Sequence, residues 1–460
     1  MKKGLLLVIL LGSGLCFAQD IFERNQNLGR GVNLGNALEA PNEGEWGMVL
    51  EPQFFSLIKA AGFDSVRLPV SWTNHAAREA PFTVDAAFMD RIVWAVEEAL
   101  KNDLNIIVNI HHYDELNADP VAEAERFKAI WRQIAERFQD YPEAVYFELL
   151  NEPHDEFNTH FEYWNQILAE MITVIRETNP ARAIIVGPVN YNSVGSLDRL
   201  ELPNDPNLIV TIHFYEPFAF THQGAEWVSP SPPTGVLWTG GNRRLSSRWQ
   251  NQSQETSLGF IKEGLDEYWQ VEFAGADSFV KLHSIMGPRG YNALALKAKS
   301  DVELRVSCNL ESDLEVLVQL QADVETVVPL KDCGDPVALK DVILKNASGA
   351  EQSFLLETLE FRGEAGFLTP FQDQGTELAE TLQKAYEWGQ KENRPIFLGE
   401  FGAYSKADLE SRLRWTSFIR REAEKLGFSW AYWEFGAGFG IYDREVSVWR
   451  QNLLDALIQP

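Results

Sequence analysis

Short apolar runs alternate with longer amphipathic stretches along most of this chain. In the stretches at 88–102 and 376–391, apolar residues recur at three- and four-residue spacing, which is typical of helices. Strands that alternate with helices predict a parallel sheet, and eight such repeats predict a (β/α)8 TIM barrel of the α/β class. The eight predicted strands are GVNLGN (from Gly31), SVRLPV (Ser65), NIIVNIH (Asn105), AVYFELLNE (Ala144), AIIVGP (Ala183), LIVTIHFY (Leu208), PIFLGEFG (Pro395) and FSWAYWEF (Phe428).

The gap between the sixth and seventh predicted strands is far longer than the others. After a Pro- and Gly-rich loop at 221–241, the pattern changes to alternating apolar and polar positions, as in YNALALKAKS and DVELRVSCNL. A period of two is typical of strands with one buried face. We therefore predict an all-β domain, a β-sandwich of jelly-roll type, inserted at 241–369 in the loop after strand 6. The catalytic barrel then comprises 19–240 and 370–460.

The first eighteen residues have the pattern of a secretory signal. Two lysines precede an apolar stretch (4–11) that is too short to span a bilayer, and CFA at 16–18 suits cleavage after Ala18. Cys16 is where a lipoprotein would be modified, but the preceding residues match a lipidation box poorly. We predict a signal peptide at 1–18 and a secreted protein, which is extracellular, periplasmic or at the cell surface.

The charge of the chain limits its partners. The net charge of −27 argues against binding to nucleic acid or to an anionic membrane surface, since like charges repel. We predict neither partner and expect a monomer that acts on a neutral substrate, although acidity that only maintains solubility explains the charge equally well. Fourteen Trp and twelve Tyr suit stacking on sugar rings, yet most such residues in any protein are core.

Two cysteines, Cys308 and Cys333, remain after removal of the signal. In an oxidising compartment they would form a disulfide worth roughly 3 kcal/mol. The alternative is a pair of unpaired thiols.

Polar residues gather at the C-terminal ends of the predicted strands, which is where barrel enzymes carry their active sites. Glu152 ends the fourth predicted strand and Glu400 lies near the end of the seventh. Two carboxyl groups in one cleft are the equipment of glycosidic-bond hydrolysis, whereas the alternative is two unrelated structural carboxylates. The residues expected beside them come from the ends of five strands and are Arg67, His111, His112, Asn151, His213, Tyr215 and Trp433.

Each glutamate needs its own electrostatic setting. In a retaining hydrolase one carboxylate acts as nucleophile, while the other carboxyl group, about 5 Å away, donates a proton. Arg67 by its charge and Tyr215 by a hydrogen bond would keep the nucleophile ionised. Repulsion between the two carboxyl groups, together with partial burial, would keep the acid protonated near neutral pH.

A metal hydrolase is one alternative, and it would use His111, His112 and His213 as ligands. Adjacent histidines on a strand point to opposite faces, which argues against both of them reaching one ion. Two cysteines are too few for a cysteine-ligated site. We therefore predict no metal and no cofactor.

The motifs of the chain resemble those of glycoside hydrolase family 5, the cellulase family. Over 25–241 and from about 371 to the C-terminus, they are similar to endoglucanases of a subgroup best known from thermophilic bacteria. The motifs that carry the resemblance are GVNLGNALEAPNEGEWG, VNIHHYDEL, ELLNEPH, IHFYEPFAFTHQGAEWV, IFLGEFGAYSKADLESR and WAYWEFGAGFGIYD.

The resemblance implies retaining hydrolysis of β-1,4-glucan such as cellulose. It implies Glu152 as acid/base, Glu400 as nucleophile, and Asn33 and His112 as further substrate contacts beside the residues named above. One departure is GA at 436–437, where similar enzymes often carry cysteine and serine.

Two alternatives in function stay open. A β-mannanase or glucomannanase would use the same scaffold, because mannan and glucan differ in the direction of the 2-hydroxyl. A non-catalytic glycan-binding protein is the other, although both glutamates and their supporting residues are present.

The insert resembles the sandwiches of carbohydrate-binding modules. Trp249, Tyr268, Trp269 and Tyr291 would be its sugar-binding surface, although such residues are more often core.

Overall fold

A computed structural model describes residues 20–459 apart from 239, 241–243, 247, 264–265, 286, 310–313, 335–337, 365 and 373. The predicted signal peptide lies outside the described residues. In the described part of the chain, no helix combines the length and the apolar character needed to cross a bilayer.

The first part of the described chain alternates strands and helices, as the sequence predicts. Helix α2 begins at a proline, and Asp85 accepts a hydrogen bond from Phe88 N at the start of α3, so both starts follow ordinary capping rules. The strands are β1 (Arg30–Asn33), β2 (Ser65–Leu68), β3 (Asn105–Asn109), β4 (Val145–Glu148), β5 (Ile184–Val186) and β6 (Leu208–Phe214). The helices are α1 (Ile21–Leu28), α2 (Pro52–Ala60), α3 (Ala86–Lys101), α4 (Asp114–Ala118), α5 (Pro120–Arg137), α6 (Glu156–Thr159), α7 (Phe161–Arg176), α8 (Val189–Asn192) and α9 (Phe218–Thr221).

Strands dominate the next part of the described chain, where the sequence pattern has a period of two. They are β7 (Arg244–Leu245), β8 (Trp249–Asn251), β9 (Thr256–Glu263), β10 (Asp266–Phe273), β11 (Phe279–Ser284), β12 (Tyr291–Ala298), β13 (Val302–Cys308), β14 (Val316–Leu320), β15 (Thr326–Pro329), β16 (Asp341–Asn346), β17 (Gln352–Gly363), β18 (Gly366–Leu368) and β19 (Phe371–Gln372), with the short helix α10 (Leu330–Cys333) between β15 and β16.

The last part of the chain returns to long helices and parallel strands. Its elements are α11 (Gln374–Glu392), β20 (Ile396–Phe401), α12 (Leu409–Lys425), β21 (Ser429–Tyr432), β22 (Tyr442–Asp443), β23 (Val448–Trp449) and α13 (Gln451–Ile458). Among the described residues, eight parallel strands close into a barrel in the order β1-β2-β3-β4-β5-β6-β20-β21. The predicted TIM barrel and its eight strands are confirmed.

The described chain divides into two compact units. Of the described residues, the first comprises 20–214, Ala385–Phe401 and Ala423–Val448, and it contains the whole closed barrel. The second comprises Tyr215–Lys384, Gly402–Glu422 and Trp449–Pro460. The domain boundaries at 240/241 and 369/370 stay a prediction.

The second unit contains two antiparallel sheets with a common core. One has the order β15-β12-β17-β10-β9 with β18 beside β17, and the other has the order β14-β13-β16-β11-β8. Val271 and Phe361 of the first sheet share a buried apolar cluster with Leu282 and Leu304 of the second. An all-β sandwich whose strands follow β6 in sequence is therefore confirmed.

The proposed sugar-binding surface of the sandwich is not supported. Trp249, Tyr268 and Trp269 are 4%, 6% and 3% exposed, and Tyr291 packs against the core. The Trp249 ring stacks on Phe361 with ring centroids 5.8 Å apart. Alternation with a period of two puts Trp269 inside with Trp249, whereas the adjacent Tyr268 lies on the opposite face of β10 and is buried there. Resemblance to a carbohydrate-binding module is therefore not confirmed.

Candidate active site

Arg67, near the end of β2, organises the C-terminal end of the barrel. Its side chain is fully buried, and every one of its guanidinium N–H groups donates a hydrogen bond. Nε and Nη2 each lie 2.6 Å from an oxygen of Glu148, and Nη1 lies 2.7 Å from Glu400 Oε1. The remaining bonds go to Asn33 Oδ1 at 2.9 Å and Asn151 Oδ1 at 2.8 Å. This planar guanidinium sets the positions of four side chains from the ends of three strands, β1, β4 and β20.

Glu148 is a member of this network that the sequence analysis missed. It is the last residue of β4 and is completely buried, with both carboxylate oxygens on Arg67. A charge inside the apolar run AVYFELL was the available signal, because a buried charge requires a partner. Burial alone would lower the pKa of Arg67, but the carboxylates of Glu148 and Glu400 outweigh burial and raise it, so the guanidinium stays charged.

Glu152 lies four residues beyond β4 and is held by His213 from β6. His213 Nδ1 is 2.7 Å from Glu152 Oε1, and Nε2 is 3.2 Å from Asn192 Nδ2. Burial raises the pKa of Glu152 to about 7, although the charge of Arg67 opposes the rise. Burial lowers the pKa of His213 to about 4, so the imidazole is neutral where Glu152 titrates. Glu152 therefore keeps a proton in weakly acidic solution, and its side chain remains 24% exposed toward solvent.

The two predicted glutamates lie side by side. One carboxylate oxygen of Glu152, one of Glu400 and a ring nitrogen of His213 are within 4.8 Å of one another. Glu400 is 4% exposed, and its Oε2 is 3.6 Å from His213 Nδ1. This spacing matches the separation of about 5 Å in retaining glycosidases and not the wider spacing of inverting ones.

The same three groups have a spacing that a metal ion would accept. The buried guanidinium of Arg67, however, already occupies Glu400 Oε1 at 2.7 Å and places a positive charge beside the cluster. A second cation would be repelled at this distance, whereas an ionised carboxylate is stabilised. The donor set therefore fits proton transfer and nucleophilic attack better than metal binding.

His111 and His112 correct one sequence argument. Strand β3 ends at Asn109, so both histidines lie beyond the strand, and His112 has a left-handed φ of 55°. Their rings are in edge contact with centroids 4.5 Å apart, so they do not point to opposite faces. Side chains alternate between the two faces only within a strand, and the argument that His111 and His112 point to opposite faces applied this rule to residues after β3.

Trp433 follows β21, and its ring lies close to the segment that follows β1. Its ring is nearly parallel to that of His111, with centroids 5.8 Å apart. A Cβ on Gly35 would lie 3.1 Å from the Trp433 ring, so glycine allows close approach there. The backbone N–H of Trp433 donates to Phe401 O, which places the residue next to β20, the strand that carries Glu400.

The two asparagines differ in what they offer a substrate. Asn33 is fully buried, its oxygen accepts from Arg67, and its Nδ2 lies 3.0 Å from Gly399 O and 3.2 Å from Ala431 O. It therefore positions Arg67 and ties strand ends together, in contrast to the substrate contact implied by the resemblance. Asn151 is 6% exposed, and its oxygen accepts from Arg67, which orients the amide NH2 as a donor.

Tyr215 directly follows β6 and belongs to the second compact unit. Its ring is edge-on to that of His222, with centroids 4.9 Å apart. In the same unit, Trp227 is 60% exposed and lies edge-on to Tyr404 at 4.8 Å. The predicted hydrogen bond from Tyr215 to Glu400 stays a prediction.

These observations define a class of protein. A closed (β/α)8 barrel carries Glu400 in β20, ion-paired with Arg67, and Glu152 four residues beyond β4, with its pKa raised by burial. This is the site of a barrel glycoside hydrolase.

Comparison with known proteins gives the family. The family model described as cellulase (glycosyl hydrolase family 5) matches residues 29–263 and 358–438, and the chain belongs to this family.

Among curated relatives, Endoglucanase H of Acetivibrio thermocellus is 42% identical over 206 residues, which is 45% of this chain but 23% of that protein. Solved structures of Thermotoga maritima Cel5A in complex with cellobiose and in complex with mannotriose are each 35% identical. Each match covers 95% of this chain and all of the solved chain, with a TM-score of 0.65.

Proposed function

We propose that this chain is a retaining endo-β-1,4-glucanase in which Glu152 is the acid/base and Glu400 the nucleophile. The observation that carries the proposal is the pairing of two carboxyl groups within 4.8 Å in opposite electrostatic settings. Glu400 faces the permanent charge of Arg67, whereas burial keeps the pKa of Glu152 near 7.

In the first step the Glu400 carboxylate attacks the anomeric carbon of the sugar. Glu152 donates its proton to the glycosidic oxygen, the bond to the leaving chain breaks, and a glycosyl ester forms on Glu400. Arg67 holds Glu400 in place through Nη1, and Asn151, whose oxygen accepts from Arg67, has its NH2 group left to donate to the 2-hydroxyl.

In the second step Glu152 has lost its proton and acts as the base. It removes a proton from a water molecule, which attacks the anomeric carbon from the face that the leaving chain vacated. The ester breaks, the Glu400 carboxylate is restored, and the product keeps the configuration of the substrate.

The names of the relatives support glucan as the main substrate. Endoglucanases of several bacteria are among the curated relatives, and one solved structure at 35% identity contains cellobiose. The mannotriose complex of the same Thermotoga maritima protein is the reason to include mannan as a second substrate. The curated relatives share only part of their length with this chain, so the glucanase activity is a proposal from the site and not a transfer of their names.

The proposal is tested by reducing-sugar release from carboxymethylcellulose, barley β-glucan, xyloglucan and mannan, measured side by side. We expect the highest rate on a β-1,4-glucan, and loss of activity in both Glu152→Gln and Glu400→Gln. A chelator should leave the activity unchanged. A wild-type protein that binds these glucans without releasing sugar would support the non-catalytic alternative, and a preference for mannan would support the mannanase alternative.

We also propose that the protein is secreted and monomeric, which the signal-like pattern of residues 1–18 and the strongly acidic composition support. Expression with the native N-terminus should give an exported protein that begins at Gln19. N-terminal sequencing and size-exclusion chromatography of the exported protein measure both properties. Retention in the cytoplasm with Met1 intact would refute the secretion proposal.

A further inference from the structure

Asn192 is a buried residue that reaches the active site from the segment after β5. Its side chain is fully buried, and its Nδ2 lies 3.2 Å from Nε2 of His213. On the other side of the imidazole, Nδ1 lies 2.7 Å from Oε1 of Glu152. The ring of His213 therefore connects the Asn192 amide to the carboxyl group that we assign as the proton donor.

The backbone that carries Asn192 has an unusual conformation. Asn190, Tyr191 and Asn192 have consecutive left-handed φ angles of 59°, 60° and 55°. This region is disfavoured for residues with a side chain, although asparagine adopts it more readily than most, so the surrounding structure must hold the segment. Tyr191 N donates to Pro153 O at 3.2 Å. Because Pro153 directly follows Glu152, the segment is fixed against the loop that carries the acid.

A glycine determines which end of the Asn192 amide faces the imidazole. A Cβ on Gly187 would lie 2.1 Å from Asn192 Oδ1, so a C–H bond of this glycine points at the amide oxygen. An oxygen accepts such a contact, whereas the hydrogens of an NH2 group would collide with those of the glycine. Among the described residues, no hydrogen-bond donor contacts this oxygen. The NH2 group is therefore the end that faces His213 Nε2, and it donates there.

His213 carries a single ring proton near neutral pH. Burial lowers its pKa to about 4, although the Glu400 carboxylate opposes the shift. A neutral imidazole has one nitrogen that donates a hydrogen bond and one that accepts. Because Nε2 accepts from Asn192, the ring proton lies on Nδ1, which donates to Glu152.

We propose that Asn192 is a positioning residue that sets the tautomer of His213 and so keeps the acid proton of Glu152 available for the reaction. With the ring proton on Nδ1, Glu152 Oε1 accepts from His213, and the proton of the acid lies on Oε2, from which it passes to the glycosidic oxygen. With the ring proton on Nε2, Oε1 would hold the acid proton and donate it to the imidazole instead.

The same tautomer also suits the state after proton transfer. Once the leaving chain has taken the proton, Nδ1–H of His213 donates to the carboxylate of Glu152, and an ionised acceptor makes the stronger hydrogen bond. This inference rests on the proposed function, since it concerns the acid step of that reaction.

The tautomer is read directly by NMR of protein that contains isotope-labelled histidine. In a neutral imidazole, the nitrogen without a proton resonates far downfield of the protonated nitrogen. Near neutral pH we expect the His213 proton on Nδ1 in the wild type and a mixture of tautomers in Asn192→Leu. The signals are assigned by their absence from the spectrum of His213→Gln. A wild-type protein with the proton on Nε2 would overturn the inference, and this measurement needs no folded variant of Asn192.

A kinetic test separates the acid step from the fold. Asn192→Leu keeps the size of the side chain but lacks the NH2 group. We expect kcat/KM for cellohexaose to fall about tenfold, because its leaving group needs the proton of Glu152. With a dinitrophenyl cellobioside, whose leaving group needs no proton, kcat/KM should change by at most about twofold. Equal losses on both substrates would indicate damage to the fold and would also overturn the inference.

Asn190→Leu is the matched control. Asn190 has a φ of 59° and an exposed side chain, so the substitution carries the same backbone cost in the same segment. It should change neither rate nor the tautomer, and a loss equal to that of Asn192→Leu would contradict a role for the amide. If the wild-type protein hydrolyses no glucan, the proposed function fails whatever the tautomer. If it hydrolyses glucan with the His213 proton on Nε2, this inference alone fails.

Discussion

Two arginine–glutamate pairs in this protein have the same length and opposite settings. Arg67 Nη1 lies 2.7 Å from Glu400 in the barrel, where the two side chains are 0% and 6% exposed. Arg362 Nη2 lies 2.7 Å from Glu325 in the sandwich, where both are 39% exposed. The first pair sits among further buried polar groups, whereas the second lies in solvent above an apolar core.

The difference in burial between the two ion pairs indicates which region carries the functional site. A buried ion pair costs desolvation and is poor evidence for stabilisation, so its presence in the barrel indicates a use for the charges. Exposed ion pairs contribute little to the free energy of unfolding, and the Arg362–Glu325 pair lies on the solvent-facing side of its sheet. The barrel end is organised by charge, and the sandwich is organised by apolar burial.

The largest expected effect is the loss of catalysis in the barrel pair. Glu400→Gln removes the nucleophile while it keeps the shape of the side chain, so kcat should fall at least about 10⁴-fold. The matched variant Glu325→Gln should retain wild-type kcat on the same β-glucan. A Glu400→Gln protein that keeps a tenth of the wild-type kcat would contradict the assignment.

Next in size is a difference in stability between the two arginines. Arg67→Met leaves Glu148 and Glu400 buried without a cation, so the free energy of unfolding should fall by about 3–5 kcal/mol. Arg362→Met should lower it by at most about 1 kcal/mol. Urea unfolding measures both changes. Equal losses of unfolding free energy in the two variants would contradict the proposed difference between the buried and the exposed ion pair.

A third prediction concerns the sandwich core. Cys308 and Cys333 are buried thiols with sulfur atoms 2.6 Å apart, and pairing between them stays a prediction. In the exported protein we expect a disulfide that contributes roughly 3 kcal/mol, so a reductant should lower the thermal midpoint. A Cys308→Ala variant should show no response to reductant. An exported wild-type protein with two titratable thiols would contradict the pairing.

The smallest expected effect is a change in the pKa of Glu152 when the charge of Glu148 is removed. Burial is the main cause that raises the pKa of Glu152 to about 7, and the negative charge of Glu148 adds to the rise. Glu148→Gln removes that charge, so Glu152 ionises at lower pH and the protonated acid is lost earlier. The alkaline limb of kcat/KM, near pH 7 in the wild type, should therefore move to lower pH. A limb that stays in place would show that Glu148 only holds Arg67.

Residues at strand ends were predictable from the sequence because the C-terminal ends of all the barrel strands lie at the same face. The ends of the fourth, sixth and seventh strands mark Glu152, His213 and Glu400, and the structure brings these three together. The fold follows from the same periodicity, since each apolar run becomes a strand of the barrel. Glu148 was missed because the predicted fourth strand, AVYFELLNE, continued to Glu152, whereas β4 ends at Glu148, so a residue at the strand end was taken for one inside the strand.

Other features depend on geometry that no local pattern contains. The mutual contact of His111 and His112 follows from where β3 ends and from a left-handed φ at His112. The bond from Arg444 to Gly47 joins residues 397 apart and ends on a backbone carbonyl, which has no signature in the sequence. For the aromatic residues of the sandwich, the sequence left both burial and a sugar-binding surface open, and the core cluster shared by the two sheets decided for burial.

The covalent intermediate on Glu400 is the most direct test of the central claim. A 2-deoxy-2-fluoro cellobioside with a good leaving group should inactivate the enzyme, because the fluorine slows both steps and the leaving group restores only the formation of the ester. Mass spectrometry of the digested protein should then find one added 2-deoxy-2-fluorocellobiosyl group, on the peptide that contains Glu400. A protein that turns over the glucan substrate but forms no adduct, or carries the adduct on Glu152, would contradict the mechanism.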